Sequence, residues 1–320
     1  MCLSPSAYPP ACFYDKILRM EKQILKLLER SGPMTGGEVW EHVGGNGLLL
    51  WRTCSLSSAI VMGPVGTRYL RLDRRVPGFG RLSPSIFREF LTYRVLGCAG
   101  QEDAIREKCE RVERHIEEVS RVKLDLAYHT MTSLASHLDS ELPIEKRVCF
   151  IIAGDIVYAM AHDVPRPERS TGKMVKGSDM DIVIIVEDDF PESLMNRLDD
   201  AIYREKYRLL ITPHVREEID YVLKRMGKVR EQLAFDTFRH KLACKIMHEG
   251  TYLCGSEELF HQVKVLLRES GVAEQIDIME KKAGFFRKET EHYLLREEPK
   301  KILEKSLFLF YPADESEEFE

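Results

Sequence analysis

Residues 177–186 read GSDMDIVIIV, in which two aspartates precede an unbroken run of apolar residues. A short run of Ile and Val predicts a strand that is buried on both faces. Asp179 and Asp181 are two positions apart, and alternate residues of an extended chain point to the same face. The stretch therefore predicts a buried strand that carries two carboxylates side by side at its entry.

Two neighbouring carboxylates repel each other unless a cation lies between them, and their hard oxygen atoms suit Mg²⁺. A further strand is predicted over residues 218–223, and its Asp220 adds a third carboxylate. Three carboxylates can hold two metal ions, which stabilise the attacking and leaving oxygens of a phosphoryl transfer. Each aspartate by itself is more typical of a surface or capping position, so the hypothesis depends on the three together.

The chain upstream predicts a partner strand followed by a glycine turn. Residues 148–153 read VCFIIA, a continuous apolar run, and Gly154 ends it before a helix that is predicted to begin at Ile156. Glycine would let the backbone approach a phosphate group closely. The segment between Gly154 and Asp179 contains Arg166, Arg169, Lys173 and Lys176. It is interpreted either as a mobile phosphate-binding loop or as a disordered surface loop.

Residues 151–186 resemble the nucleotidyltransferase superfamily that includes DNA polymerase beta. The family signature is a strand, a glycine turn into a helix, and an Asp-x-Asp strand, and residues 219–222 are similar to the later strand that supplies the third carboxylate. The resemblance implies a short mixed β-sheet flanked by helices and two Mg²⁺ or Mn²⁺ ions. It also implies that the protein is an enzyme, which moves a nucleoside monophosphate from an NTP to a hydroxyl group.

The resemblance assigns roles to particular residues. The catalytic, metal-binding residues would be Asp179, Asp181 and Asp220, and the nucleotide-binding residues would be Gly154, Gly177, Ser178, Lys173 and Lys176. The chain departs from the family pattern at Asp155, where Ser or Gly is usual, and Asp155 is predicted to cap the following helix. The interval between Gly154 and Asp179 is also longer than the family's.

The N-terminal part predicts a winged helix-turn-helix. Three short helices are followed by strands at 59–62 and 67–72, which residues 63–66 would join as a tight turn. Thr35 and Glu38 are spaced as a capping box for the second helix. The third helix would be the recognition helix, and a locally basic composition favours nucleic acid. The candidate contact residues are Arg52, Ser55, Arg68, Arg71 and Arg74. The alternative is a small module that binds protein.

Residues 101–138 predict one long charged helix with an apolar stripe, which would pack between domains or between subunits of a homo-oligomer. The fold class is therefore α+β. It comprises a winged-helix domain at 1–97, a connecting helix at 98–142, a nucleotidyltransferase-like domain at 143–311 and an acidic tail at 312–320.

Composition limits the class of protein. The chain has 320 residues, a formal net charge of −5 and 44% hydrophobic residues, which is typical of a soluble globular protein. No apolar run is long enough for a transmembrane helix, and residues 1–15 do not resemble a secretory signal, so a cytoplasmic location without a membrane partner is expected. Eight cysteines without a C-x-x-C pair indicate reduced thiols rather than a zinc site.

The sequence thus favours a magnesium-dependent nucleotidyltransferase whose acceptor is an RNA end, a protein hydroxyl or a small molecule. Two alternatives stay open. One is a winged-helix DNA-binding regulator whose nucleotidyltransferase domain is a sensor or is inactive. The other is a member of a toxin–antitoxin-type pair.

Overall fold

The computed structural model describes residues 11–139, 144–168 and 170–311. They fold into an α+β structure with small sheets and form two compact units, each assembled from separate stretches of the chain. The first unit contains residues 11–69, 82–114 and 283–311, and the second contains residues 70–81 and most of 115–282. The sequence predicts domains that follow one another along the chain, whereas residues 283–311 belong to the first unit.

The helices and strands of the described ranges are numbered in chain order. The helices are α1 Ala11–Ser31, α2 Gly36–Val43, α3 Gly47–Leu56, α4 Ile86–Thr92, α5 Glu102–Asp139, α6 Ile144–Arg147, α7 Glu192–Ile211, α8 Met226–Gln232, α9 Phe238–Glu249, α10 Glu257–Glu269, α11 Val272–Arg296 and α12 Pro299–Lys305. The strands are β1 Met34–Thr35, β2 Ile60–Pro64, β3 Tyr69–Leu72, β4 Gly80–Ser83, β5 Arg94–Cys98, β6 Val148–Ala153, β7 Pro165–Pro167, β8 Met174–Lys176, β9 Met180–Val186, β10 Ile219–Arg225 and β11 Thr251–Gly255. Short 3₁₀ helices occupy Gly154–Tyr158 and Leu307–Leu309.

The first unit is built on a three-stranded antiparallel sheet of order β1-β5-β2. Its core takes side chains from both ends of the chain, because Leu50 and Leu96 are buried in the same cluster as Leu294 and Phe310. The predicted capping box of α2 is confirmed: Thr35 Oγ1 accepts from the Glu38 amide, and Glu38 Oε2 accepts from the Thr35 amide. The two bonds satisfy amides that a helix N-terminus leaves unpaired.

The predicted hairpin between residues 59–62 and 67–72 is wrong. β2 pairs with β5, and β3 pairs with β4. Gly63 continues β2 instead of forming a turn, and a Cβ at this position would lie 2.5 Å from Cys109 Sγ of α5. The glycine is therefore required for the close packing of a helix on the strand, a reason that the local sequence does not reveal.

The second unit contains a four-stranded sheet of order β10-β9-β6-β11. β9 and β10 are parallel, while β6 runs antiparallel to both β9 and β11, so the sheet is mixed as expected. The apolar runs of β6 and β9 are buried along their length, as predicted for strands covered on both faces. The long helix α5 and the helix α7 contribute Met131, Leu134, Leu198 and Ile202 to the core on one face.

Helices α9 and α10 pack on β6, and α8 packs on β10. Gly250, which follows α9, lies so close to the sheet that a Cβ there would be 2.6 Å from Ile151 Cγ2. Helices thus pack closely on β6, which is buried along its whole length.

The predicted long helix is confirmed as α5. No helix in the described part of the chain is both long enough and apolar enough to cross a membrane. Two predicted segments lie outside the described residues. They are the acidic tail at 312–320 and residues 1–10 of the segment that does not resemble a secretory signal.

Candidate functional site

The predicted carboxylates lie where three strands of the second unit meet. Because β6 is antiparallel to β9, the end of β6 lies beside the starts of β9 and β10. Ala153 is in register with Asp181, and Asp181 is in register with Asp220. Residues in register on neighbouring strands share a face of the sheet, so this edge presents Asp181 and Asp220 together.

The tightest group of possible metal ligands among the described residues is Asp179, Glu218 and Asp220. One carboxylate oxygen from each lies within 4.8 Å of the others. Glu218 is buried, while Asp179 and Asp220 are half-buried. We refer to these three residues as the carboxylate group. It differs from the predicted set in having Glu218 in place of Asp181.

Glu218 was missed by the sequence analysis, although a signal was present. Glu218 and Asp220 have the same two-residue spacing as Asp179 and Asp181, and the strand predicted at 218–223 already included both. The alternation argument that paired the first two carboxylates applies equally to the second two.

Asp181 instead lies against the turn that follows β6. Gly154 has a φ of +70°, and a Cβ there would be 2.0 Å from Asp181 Oδ2. Both the backbone conformation and the space require glycine. The amide of Gly154 donates to Glu249 Oε1 at 3.4 Å, and the approach of this backbone to a phosphate stays a prediction.

Two cations face the carboxylate group. Arg166 of β7 places Nη2 at 3.0 Å from Glu218 Oε2 and 3.4 Å from Asp179 Oδ2. Lys206 of α7 donates from Nζ to Asp220 Oδ1 at 2.9 Å. Arg166 is held in place by a 2.7 Å bond from its Nε to the carbonyl oxygen of Gly177. The sequence placed Arg166 in a loop, and its contact with the carboxylates depends on tertiary structure.

The crowding of carboxylates affects the protonation of Glu218. Burial raises the pKa of Glu218, Arg166 opposes that increase, and the neighbouring Asp220 adds to it. Arg166 thus stabilises the ionised form of Glu218 against the effects of burial and of Asp220.

Asp155 does not cap a helix, contrary to expectation. The segment after Gly154 is a 3₁₀ helix whose N-cap residue is Ala153. Asp155 Oδ2 accepts a 2.7 Å bond from Ser178 Oγ, which in turn accepts from the amide of His162 at 3.2 Å. Ser178, predicted to bind nucleotide, is buried and links the turn after β6 to the entry of β9.

The remaining predicted nucleotide-binding residues lie on the interval between Gly154 and Asp179. After the 3₁₀ helix at Gly154–Tyr158, this interval contains the β7–β8 hairpin. Lys176 donates to the carbonyl oxygen of His214 at 2.9 Å, and Lys173 lies exposed with Nζ 6.0 Å from the ring centroid of Tyr207. At Gly177 a Cβ would lie 1.9 Å from the carbonyl oxygen of His162. Gly177 is therefore required for close packing. Arg166 is the hairpin residue whose side chain contacts the carboxylate group.

A buried polar cluster supports the turn after β6. Glu249 of α9 forms an ion pair with Lys245 at 2.7 Å and accepts from Tyr158 Oη at 2.6 Å. Burial, followed by the charge of Glu249, raises the pKa of Tyr158, so the phenol stays protonated and donates. The cluster fixes the position of Gly154 relative to α9.

Arg52 is not available to nucleic acid, contrary to the prediction for the third helix. It is 2% exposed, and its Nη2 donates to the carbonyl oxygens of Leu295 and Glu297 at 2.7 and 2.8 Å. A side chain that binds the last carbonyls of α11 cannot also reach a base. Ser55 on the same helix is half-buried.

The other predicted nucleic-acid residues are divided between the units. Arg68, in the first unit, pairs with Glu89 and Glu291. Arg71 and Arg74 belong to the second unit, where Arg71 is half-buried and the guanidinium of exposed Arg74 lies 4.8 Å from the ring centroid of Phe238.

Comparison with known proteins gives no assignment by similarity. No protein-family model matches the chain, and no curated protein matches it in sequence.

Proposed function

We propose that this chain is a metal-dependent nucleotidyltransferase, which transfers a nucleoside monophosphate from an NTP to a hydroxyl acceptor. The observation that supports it best is the register that brings the turn after β6, Asp181 and Asp220 into one row across the sheet. We also propose that the mixed sheet has the nucleotidyltransferase fold and that the first unit is a winged helix, which the order α1, β1, α2, α3, β2 supports.

The donor atoms of the carboxylate group fit Mg²⁺ or Mn²⁺. All three ligands are carboxylates with oxygens within 4.8 Å of one another, and both ions prefer carboxylate oxygens. Asp179, Glu218 and Asp220 would hold the ion. When bound, it would neutralise phosphate charge and lower the pKa of an acceptor hydroxyl.

The protein side chains would have separate tasks in the transfer. Arg166 carries a planar guanidinium that matches phosphate oxygens, so it would turn from the carboxylates to the NTP when a metal ion replaces it. Asp220, half-buried beside Lys206, would accept the proton of the attacking hydroxyl. The Gly154 turn, held by Glu249, would keep Asp181 in place beside Asp220 at the edge of the sheet.

The transfer can be tested with each α-labelled NTP, Mg²⁺ or Mn²⁺, and total RNA as acceptor. Wild-type protein should transfer label in a metal-dependent manner. Asp179→Asn and Asp220→Asn should lose roughly 100-fold or more, because metal-ion charge stabilisation contributes several kcal/mol to such reactions. Asp200→Asn changes an exposed carboxylate of α7 outside the carboxylate group and is the matched control. Unchanged transfer in Asp179→Asn, or equal loss in Asp200→Asn, would overturn the assignment.

A further inference from the structure

Helix α7 exposes a row of large apolar side chains. Tyr203, Tyr207 and Ile211 recur every four residues and are 61%, 49% and 42% exposed. Residues four apart lie on the same face of a helix, so the three side chains form a continuous strip, which we call the α7 strip. Exposure of a continuous apolar strip to water is unfavourable, and such strips are typical of binding surfaces.

Basic side chains lie beside the α7 strip. Arg204 and Arg208 are exposed on the same helix. Arg208 pairs with Glu205 at 2.7 Å, and the acidic residues Asp199 and Asp200 precede Tyr203. Lys173 extends from the β7–β8 hairpin to within 6.0 Å of the Tyr207 ring centroid. Alternating aromatic rings and cations suit a ligand that has flat rings joined by negative charges.

The α7 strip lies next to the carboxylate group. Lys206, which lies between the two tyrosines in sequence, donates to Asp220 at 2.9 Å. The β7–β8 hairpin makes the second connection, because Arg166 faces Glu218 while Lys173 faces Tyr207. A chain lying along the strip would therefore pass close to Asp220.

We propose that the α7 strip binds a single-stranded nucleic acid. Two bases stack on Tyr203 and Tyr207, and the phosphates face Lys173, Arg204 and Arg208. A duplex fits less well, because its bases are already stacked on one another and offer no ring face to a tyrosine. The assignment of the bound strand as the hydroxyl acceptor rests on the proposed transferase activity, whereas binding itself does not.

Binding can be measured with the full chain by fluorescence anisotropy, at low salt and without NTP. The probes are labelled single-stranded RNA, single-stranded DNA and duplex DNA of about 12 nucleotides, a length within the usual range of single-strand sites. The double substitution Tyr203→Ser, Tyr207→Ser should weaken single-strand binding by about tenfold or more, since each stacked base contributes measurably to affinity. Tyr203→Phe with Tyr207→Phe should retain it, because a phenyl ring stacks as well. Phe285→Ser, at an exposed aromatic of α11, is the matched control and should bind as wild type does.

Three results would overturn the proposal: no single-strand binding at low salt, equal affinity for the duplex, or unchanged binding in the double serine variant. A preference for RNA over DNA, or the reverse, would identify the type of strand. Asp179→Asn separates the two proposals, since it should abolish transfer and still bind single strands. If wild type binds strands and transfers nothing, the transferase assignment fails while the α7 strip stands.

Discussion

Gly154 joins two constraints at one residue, since its φ is +70° and Asp181 Oδ2 occupies the space where a side chain would begin. Gly154→Ala should therefore destabilise the fold and abolish transfer by displacing Asp181. Gly172 is the matched control, because its φ is +68° and no atom lies within 4 Å of a Cβ there. Gly172→Ala should cost only about 1 kcal/mol, the usual penalty of a left-handed alanine. Thermal melts and transfer rates of both variants would check this, and similar behaviour of the two would contradict it.

Arg166 faces the carboxylates that would bind the metal ion, so the guanidinium and the ion compete. Arg166→Met should raise the affinity for Mn²⁺ by about fivefold, the equivalent of a partly exposed ion pair of about 1 kcal/mol. Titration of Mn²⁺ followed by electron paramagnetic resonance would measure it. Lys173→Met, on the same hairpin but exposed, should leave the affinity unchanged. A lower Mn²⁺ affinity in Arg166→Met would mean that the guanidinium positions the ligands instead of competing with the ion.

Lys224 is buried in β10, where its Nζ donates to Gln232 Oε1 at 3.1 Å. Burial lowers its pKa from 10.5 to about 8. Between these two values the unfolded chain binds more protons than the folded protein, so stability should increase as pH rises through that window. Below pH 8 the buried Lys224 is charged, and the full free-energy cost of burying that charge lowers the stability of the folded protein.

Lys224→Met should consequently stabilise the protein at pH 7 by on the order of 2 kcal/mol and reduce the increase between pH 8 and 10. Urea unfolding across this pH range is the measurement. Lys264, whose pKa burial also lowers to about 8, would supply the remaining increase. Lys281→Met, at an exposed position of α11, should keep the wild-type profile. An unaltered profile in Lys224→Met would refute the prediction.

The helices and strands that depend only on neighbouring residues in the sequence could be predicted from it. β6 and β9 are continuous apolar runs because both of their faces are covered, and the α2 cap depends on two residues that are three apart. The β2–β5 pairing was not predictable, since β5 is distant in the chain and nearby β3 has an equally favourable pattern. Arg166 was expected in a phosphate-binding loop, but its contact with Glu218 could not be predicted for the same reason. Glu218 itself could have been found from its spacing to Asp220.

At the scale of the whole molecule, the first unit depends on the C-terminal helices for its core. Phe310 is fully buried, with its ring 5.5 Å from Trp51 and 5.1 Å from Phe87. Phe310→Ala should destabilise the unit by about 3–5 kcal/mol, as large cavities in a core do. Phe285→Ala, which is 70% exposed, should change stability by less than about 0.5 kcal/mol. Urea unfolding followed by tryptophan fluorescence would test both, and a small effect of Phe310→Ala would contradict the expected contribution of this side chain to the core.

The burial of Leu294, Ile302 and Phe310 beside Leu50 and Phe90 also sets an order of events during translation. A ribosome adds roughly 5–20 residues per second, so tens of seconds separate the synthesis of the first 114 residues from that of Phe310. The sheet that carries the carboxylates is complete in the nascent chain before then. The first unit is therefore the first to be synthesised and the last to complete its core. Until Phe310 is added, its apolar residues stay exposed, and a chaperone would bind them on the ribosome.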